Sequence, residues 1–137
     1  MIFVWFYTAT NPMKKLSAIA FVSTLLVLEM PALAQSRPLG NVHRGQVLYA
    51  QQCTACHAVD VNKVGPLHRG VLGRRAGSLA GYTYSEELAD AKIVWTLKTL
   101  DAWLADPEEL IPGQRMGFAV KSRKERADLV AYLATLK

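Results

Sequence analysis

Apolar residues recur at helical spacing in three segments of the chain, and each segment predicts a helix. The first covers residues 41–52. The second covers residues 97–105, and the third follows a capping box over residues 122–125. Both later segments carry an apolar stripe on one side, formed by Leu97, Leu100 and Leu104 in the second and by Leu129, Val130, Leu133 and Leu136 in the third.

Capping residues predict two shorter helical turns between these segments. Ser85 is a suitable N-cap, and two acidic residues follow it where the helix dipole favours negative charge. Asp106 is likewise a suitable N-cap, and Pro107 follows it at the first helical position. Residues 58–81 contain five glycines and show no alternating apolar pattern of useful length. The sequence therefore predicts a small all-α domain with a long glycine-rich loop.

The first 34 residues have the pattern of a secretory signal peptide. Lys14 and Lys15 precede an apolar run over residues 16–28, and Ala32 and Ala34 form a small-x-small cleavage site. The run of thirteen residues is shorter than the roughly 20 that cross a bilayer as a helix, which disfavours the alternative of a retained membrane anchor. We expect cleavage after Ala34, export to the periplasm and a single domain over residues 35–137.

Residues 1–12 precede the charged pair and fit poorly before a signal peptide, so translation is expected to begin at Met13. Over the full 137 residues, 16 Lys and Arg face 11 Asp and Glu, a formal net charge of +5. Two of those lysines and one glutamate lie in the first 34 residues, so the remainder keeps about +4. Such a charge is too small to indicate a nucleic-acid binder, but it favours acidic protein partners.

The two cysteines lie in a short motif with a specific chemistry. Cys53 and Cys56 are three residues apart, and His57 follows directly. This C-x-x-C-H pattern is the attachment signature of haem c, in which each thiol adds across a vinyl group and the histidine ligates iron. A modest core of this size would gain stability from such a covalent link.

Three other interpretations of the cysteines remain. A thioredoxin-like redox pair also uses C-x-x-C but expects a βαβ setting. A structural zinc site needs four ligands in separated pairs, whereas Cys56 and His57 are adjacent. A simple disulfide explains both cysteines but gives no role to His57.

Met116 is the candidate for the second axial ligand of the iron. It is the one methionine beyond residue 34, and it lies in a turn that begins at Pro112. Met/His ligation suits an electron carrier, although a lone methionine can also fill a gap in a core. The competing histidines, His43 on the first helix and His68 in the glycine-rich loop, are both expected to be exposed.

From Gly40 to Leu136 the chain resembles class I c-type cytochromes, especially the bacterial monohaem members. The resemblance rests on the first-helix pattern around Gly45, the attachment motif, the Gly65-Pro66-Leu67 loop and the Pro112-Gly113-Gln114-Arg115-Met116-Gly117-Phe118 loop. It implies a small cytochrome c fold in which the N- and C-terminal helices cross and glycine-rich loops wrap one covalent haem. Gly45 would then allow close approach by the last helix near Leu129 and Tyr132.

The resemblance also implies a set of residues around the haem. The Pro66 carbonyl would accept a hydrogen bond from the ligand imidazole and orient it. Arg74, Tyr84 and Trp95 match positions that hydrogen-bond the inner propionate. Trp103 and Phe118 would complete the pocket, with Trp103 near the methionine sulfur.

Three positions depart from the family pattern. Gln114 replaces a usual threonine, which removes the hydroxyl hydrogen bond expected there. Trp103 replaces a common tyrosine, and an indole N–H can donate but cannot accept. The chain is also one residue shorter near residues 119–120, where relatives have a glycine.

Together these features predict a soluble, exported, monomeric electron carrier with one haem c, not an enzyme. Its partners would be redox proteins with acidic docking faces, with no nucleic acid and no stable membrane insertion. One alternative is a haem enzyme or gas sensor with an open iron site. Another is a haem subunit that stays bound to a dehydrogenase or an oxidase.

Overall fold

The computed structural model describes residues 40–137. The predicted signal peptide, its cleavage site and the predicted start at Met13 lie outside the described residues. Five helices make up the described part, and the all-α expectation is confirmed. They are α1 (Val42–Gln52), α2 (Glu86–Asp90), α3 (Leu97–Ala105), α4 (Pro107–Leu110) and α5 (Arg123–Leu133). The one β-type pairing recorded within residues 40–137 is an isolated antiparallel bridge between Arg75 and Val94.

Side-chain caps fix where the helices begin. The Asn41 side chain accepts a hydrogen bond from the Arg44 N–H at 2.8 Å and starts α1. Thr96 and Thr99 form a reciprocal capping box that starts α3. Ser122 accepts from the Glu125 N–H at 3.3 Å and starts α5. Each cap satisfies a backbone donor that the first turn of a helix cannot satisfy itself.

Helices α1 and α5 cross at Gly45. A Cβ at this position would lie 2.0 Å from the Asp128 carbonyl oxygen and 2.8 Å from the Tyr132 Cβ. Any side chain larger than hydrogen would therefore push the two helices apart. The crossing predicted from the sequence is present, and a glycine makes it possible.

A buried carboxylate joins the same two helices. Asp128 accepts from the Asn41 N–H at 2.6 Å and from the Arg44 Nε and Nη2 at 2.8 and 3.0 Å. These hydrogen bonds, above all those from Arg44, hold the pKa of the Asp128 carboxyl below its ordinary value although burial opposes this. The charge is therefore satisfied, and it fixes the register of α1 against α5.

The core lies between α3, α5 and the loops that precede them. Its buried apolar members include Tyr49, Val71, Trp95, Leu100, Trp103, Leu104, Ile111, Leu129, Val130 and Leu133. Of the predicted stripe residues, Leu97 lies outside the core: it is the first residue of α3 and is 44% exposed. At this helix terminus, helical spacing does not determine which way a side chain faces. Leu136 follows the end of α5 but still packs against the core. Among the described residues, no helix has the length and apolar character needed to span a membrane.

Candidate functional site

One cleft of about 940 Å³ brings the attachment motif and the methionine loop together. Cys53, Cys56, His57 and Met116 all line it. Its volume lies near the top of the roughly 300–1,000 Å³ range of ligand clefts. Residues roughly 60 positions apart in the sequence therefore share one site.

The two cysteines stand at the C-terminal end of α1. Cys53 is the C-cap of the helix and is half-buried, whereas Cys56 is exposed. The Cys56 and His57 N–H groups both donate to the Cys53 carbonyl, at 3.1 and 2.8 Å, and so close a tight turn. Burial, with a smaller contribution from Cys56, raises the pKa of the Cys53 thiol to about 11. The two sulfurs are not joined in a disulfide.

His57 is oriented by a backbone carbonyl. Its Nδ1 lies 2.7 Å from the Pro66 oxygen, and a carbonyl can only accept, so Nδ1 carries the proton. The lone pair of the neutral ring is then on Nε2. Burial lowers the pKa of His57, and this outweighs the opposing effect of the Pro66 hydrogen bond, so the neutral form is favoured. A neutral imidazole with a free Nε2 is the form that binds a metal.

Gly65 lies directly against the His57 ring. A Cβ at Gly65 would be 2.1 Å from the His57 Cε1 and 2.6 Å from either ring nitrogen. The Gly65 N–H donates to the Cys56 carbonyl at 2.8 Å, which holds the two segments at this distance. Glycine is therefore required here by the proximity of the imidazole.

The structure corrects the expected exposure of His68. Its ring is half-buried and stacks on His57, with centroids 4.2 Å apart and planes inclined by 18°. Burial lowers the pKa of His68 to about 3, with further contributions from His57 and Arg74. The prediction was wrong because an arginine and a glycine beside His68 in the sequence suggested a solvated loop. No periodic pattern in the sequence indicates this contact. His43, by contrast, is exposed as expected.

Met116 is held by side chains rather than by regular structure. The Trp103 Nε1–H donates to the Met116 Sδ at 3.2 Å. The Gln114 side-chain oxygen accepts from the Met116 N–H. Gln114 thus provides a local hydrogen bond of its own, although it lacks the hydroxyl of the family's usual threonine.

The remaining predicted residues also line the cleft. The Arg74 guanidinium donates to the Leu67 and Arg69 carbonyls, each at 3.0 Å, and so braces the loop around His68. Tyr84 is half-buried, Trp95 is buried, and Phe118 is 43% exposed at the cleft. Trp95 packs against Trp103 with ring centroids 5.3 Å apart. Their roles toward a propionate or a haem face stay predictions.

These donors suit a haem better than a bare metal ion. The cleft offers one imidazole with a free Nε2, one thioether and two thiols three residues apart. Its walls combine apolar side chains such as Leu100 and Leu104 with two indoles. A flat, apolar prosthetic group with two covalent links and two axial ligands matches that set.

Residues 42–137 match the sequence model of the family described as Cytochrome c. The chain is 41% identical over 99 residues to cytochrome c 2.1 of Caenorhabditis elegans, covering 70% of this chain and 89% of the relative. It is 40% identical over 101 residues to cytochrome c of Euglena viridis, covering 72% and 99%. Among solved structures, cytochrome cH from Methylobacterium extorquens is similar, with a TM-score of 0.67 and 38% identity, covering 70% of this chain and 99% of that one.

Proposed function

The chain belongs to the cytochrome c family, and from that membership we propose an exported electron carrier whose iron is ligated by His57 and Met116. As a family member it is an electron carrier rather than an enzyme, and it binds haem c covalently through Cys53 and Cys56. The haem supplies the chemistry, a reversible one-electron change of its iron. The protein supplies the ligands, their orientation and a surrounding of low polarity.

The observation that carries the axial assignment is the shared cleft of His57 and Met116. His57 is fixed by the Pro66 carbonyl with Nε2 left free, as a metal ligand requires. The Met116 sulfur accepts one hydrogen bond from Trp103 and keeps a second lone pair for a metal. Two permanent ligands favour electron transfer, because the ligand set need not change with the oxidation state.

The walls of the cleft give the ligands a largely apolar surrounding. Leu100, Leu104, Leu129 and Leu133 are buried and face the cleft, and Trp95 and Trp103 extend this surface. A low-polarity surrounding disfavours the more highly charged ferric state and, together with a methionine ligand, raises the reduction potential.

Export and partners follow from features outside the cleft. The signal-peptide pattern of residues 1–34 supports a periplasmic carrier whose domain covers residues 35–137. The net positive charge of that domain favours acidic docking faces on its redox partners, which it would meet as a monomer.

Optical spectra of Met116→Ala test the axial assignment. The wild-type ferric protein should show the weak far-red charge-transfer band of a thioether–iron bond, and Met116→Ala should abolish it. The variant should also have a lower reduction potential and should bind cyanide or carbon monoxide, because one axial position is now accessible.

Met116→His is the matched control. It should restore a six-coordinate spectrum that excludes carbon monoxide, but without the far-red band and at a lower potential. A wild-type protein that lacks the band and binds carbon monoxide when reduced would contradict the proposal. The haem enzyme or gas sensor would then be favoured.

A further inference from the structure

His68 has no part in the attachment motif or in the ligand set, yet its ring lies flat on the His57 ring. The centroids are 4.2 Å apart and the planes are inclined by 18°. This is the distance of a stacked aromatic pair, in which each ring restricts the tilt of the other.

Backbone pairing places the two rings face to face. The His68 N–H donates to the Ala58 carbonyl at 3.0 Å, and the Arg69 N–H donates to the Val59 carbonyl at 2.9 Å. The segment that follows His57 therefore runs beside the segment that follows Pro66. The stacked position of the His68 ring therefore follows from the pairing of these two backbone segments.

Tyr49 ties the His68 ring to the crossing of α1 and α5. The Tyr49 hydroxyl lies 3.1 Å from the His68 Nδ1, and the two rings meet edge to face at 5.6 Å. Tyr49 is 4% exposed and packs against Tyr132 of α5, with centroids 5.2 Å apart. Tyr49 thus connects His68 to the crossing of α1 and α5.

We propose that His68 is a positioning residue that sets the plane of the His57 imidazole. The hydrogen bond from Nδ1 to Pro66 fixes one direction of the ring, but the torsion about Cβ–Cγ of a histidine is intrinsically broad. A flat partner on one ring face narrows that torsion. The inference rests on the proposed function, since it takes His57 as an iron ligand.

The plane of an axial imidazole has a direct spectroscopic signature. It determines how the π orbital of the ring overlaps the iron d orbitals, and hence the magnetic anisotropy of the ferric ion. The four haem methyl resonances of the ferric protein report that anisotropy through their hyperfine shifts. A residue that only fills space would leave their order and spread unchanged.

The test compares four variants by proton NMR of the ferric protein and by potentiometry. His68→Leu removes the flat ring and should change the order or spread of the methyl shifts and move the reduction potential. His68→Phe keeps a ring without the hydrogen bond and should restore most of the wild-type pattern. Tyr49→Phe removes only the hydroxyl and should give a smaller change than His68→Leu. His43→Leu, at an exposed histidine of α1, should change nothing.

Wild-type methyl shifts and potential in His68→Leu, with the far-red band intact, would overturn the inference and leave the proposed function standing. A wild-type protein without the far-red band would instead overturn the proposed axial ligation. Should His68→Leu fail to fold, His68→Gln decides, because it removes the flat ring stacked on His57 but keeps a polar group that can hydrogen-bond the Tyr49 hydroxyl. Wild-type methyl shifts in His68→Gln would then overturn the inference.

Discussion

The two segments that carry the proposed iron ligands are held in different ways. The histidine segment, residues 53–68, is held mainly through its backbone: the His57 and Gly65 N–H groups donate to carbonyls within the segment, and the His68 N–H donates to Ala58. The Pro66 carbonyl then orients the ligand ring itself. Most of these bonds would form whatever side chains the segment carried.

The methionine loop, residues 112–118, has one backbone hydrogen bond, from the Gln114 N–H to the Ile111 carbonyl at 3.3 Å, and otherwise depends on side chains. The Glu108 carboxylate accepts from the Gly113 N–H at 2.9 Å and from the Gln114 Nε2 at 3.3 Å. Gln114 in turn accepts from the Met116 N–H, and Trp103 donates to the Met116 sulfur. The position of Met116 therefore depends on the identity of three side chains.

This difference determines which substitutions each segment tolerates. Backbone hydrogen bonds survive most substitutions, so the histidine segment is vulnerable mainly where a side chain has no room. The methionine loop has room for a side chain at Gly117, but the loss of any of its hydrogen bonds weakens the hold on Met116. Steric changes should therefore damage the first segment, and changes of hydrogen bonding should damage the second.

Gly65→Ala should have the largest effect. Its Cβ would lie 2.1 Å from the His57 Cε1, and that ring is confined by Pro66 on its edge and by His68 on one face. The loop or the ring must shift, and the free energy of unfolding should fall by at least about 2 kcal/mol. Chemical denaturation and the haem content per polypeptide measure the two consequences.

Gly117→Ala is the matched control in the methionine loop. A Cβ at Gly117 meets no protein atom within 4 Å, so this variant should retain the stability and haem content of the wild type. Equal losses in both variants would show that the two segments do not differ in steric tolerance.

Trp103→Phe should have a moderate effect, confined to the methionine side. It removes the N–H that donates to the Met116 Sδ at 3.2 Å, a bond worth about 1 kcal/mol. Without this bond the sulfur donates more electron density to the iron, so the reduction potential should fall and the far-red band should shift. Potentiometry and ferric absorption spectra measure both changes.

Trp95→Phe separates the hydrogen bond from the loss of an indole. Trp95 is also buried in the cleft and packs against Trp103, with centroids 5.3 Å apart. Trp95→Phe should leave the far-red band in place. If Trp95→Phe and Trp103→Phe shift the band equally, the loss of indole packing explains the effect, and the hydrogen bond to the Met116 sulfur does not.

The helical fold could be predicted from the sequence because its helices carry strong local signals. Caps at Ser85, Asp106 and Ser122 and the stripe on α5 predict elements that the structure contains. Gly45 is informative because the close approach of Asp128 excludes any side chain there. The exposure of Leu97 could not be predicted from the apolar spacing. Leu97 is in the first turn of α3, and this turn faces solvent.

The functional site could be predicted from the sequence only where its residues are adjacent in the sequence. The attachment motif spans five residues, so its spacing reveals its function. The stack of His68 on His57 depends instead on the register of two loop segments, joined by backbone hydrogen bonds from residues 68 and 69. Such pairing leaves no periodic pattern. The hydrogen bonds from Glu108 to the methionine loop were missed for the same reason.

Glu108→Gln should have a smaller effect than Gly65→Ala and Trp103→Phe. Its effect should be confined to the methionine loop. The carboxylate accepts two hydrogen bonds from that loop, whereas an amide oxygen is a weaker, uncharged acceptor. Glu108 is exposed, so the free energy of unfolding should fall by less than about 1 kcal/mol. Hydrogen exchange at the Gly113 and Met116 N–H groups should quicken, while exchange at the His57 N–H should not change.

Glu109→Gln is the matched control, because Glu109 is also exposed, lies in the same short helix and loses the same charge. If the hydrogen bonds of Glu108 hold the loop, only Glu108→Gln should quicken exchange at Gly113. Equal quickening in both variants would assign the effect to the helix dipole or to net charge, since both acids lie in the first turn of α4. Quickening at His57 in the Glu108 variant would mean that the two segments are coupled and do not respond separately to substitution.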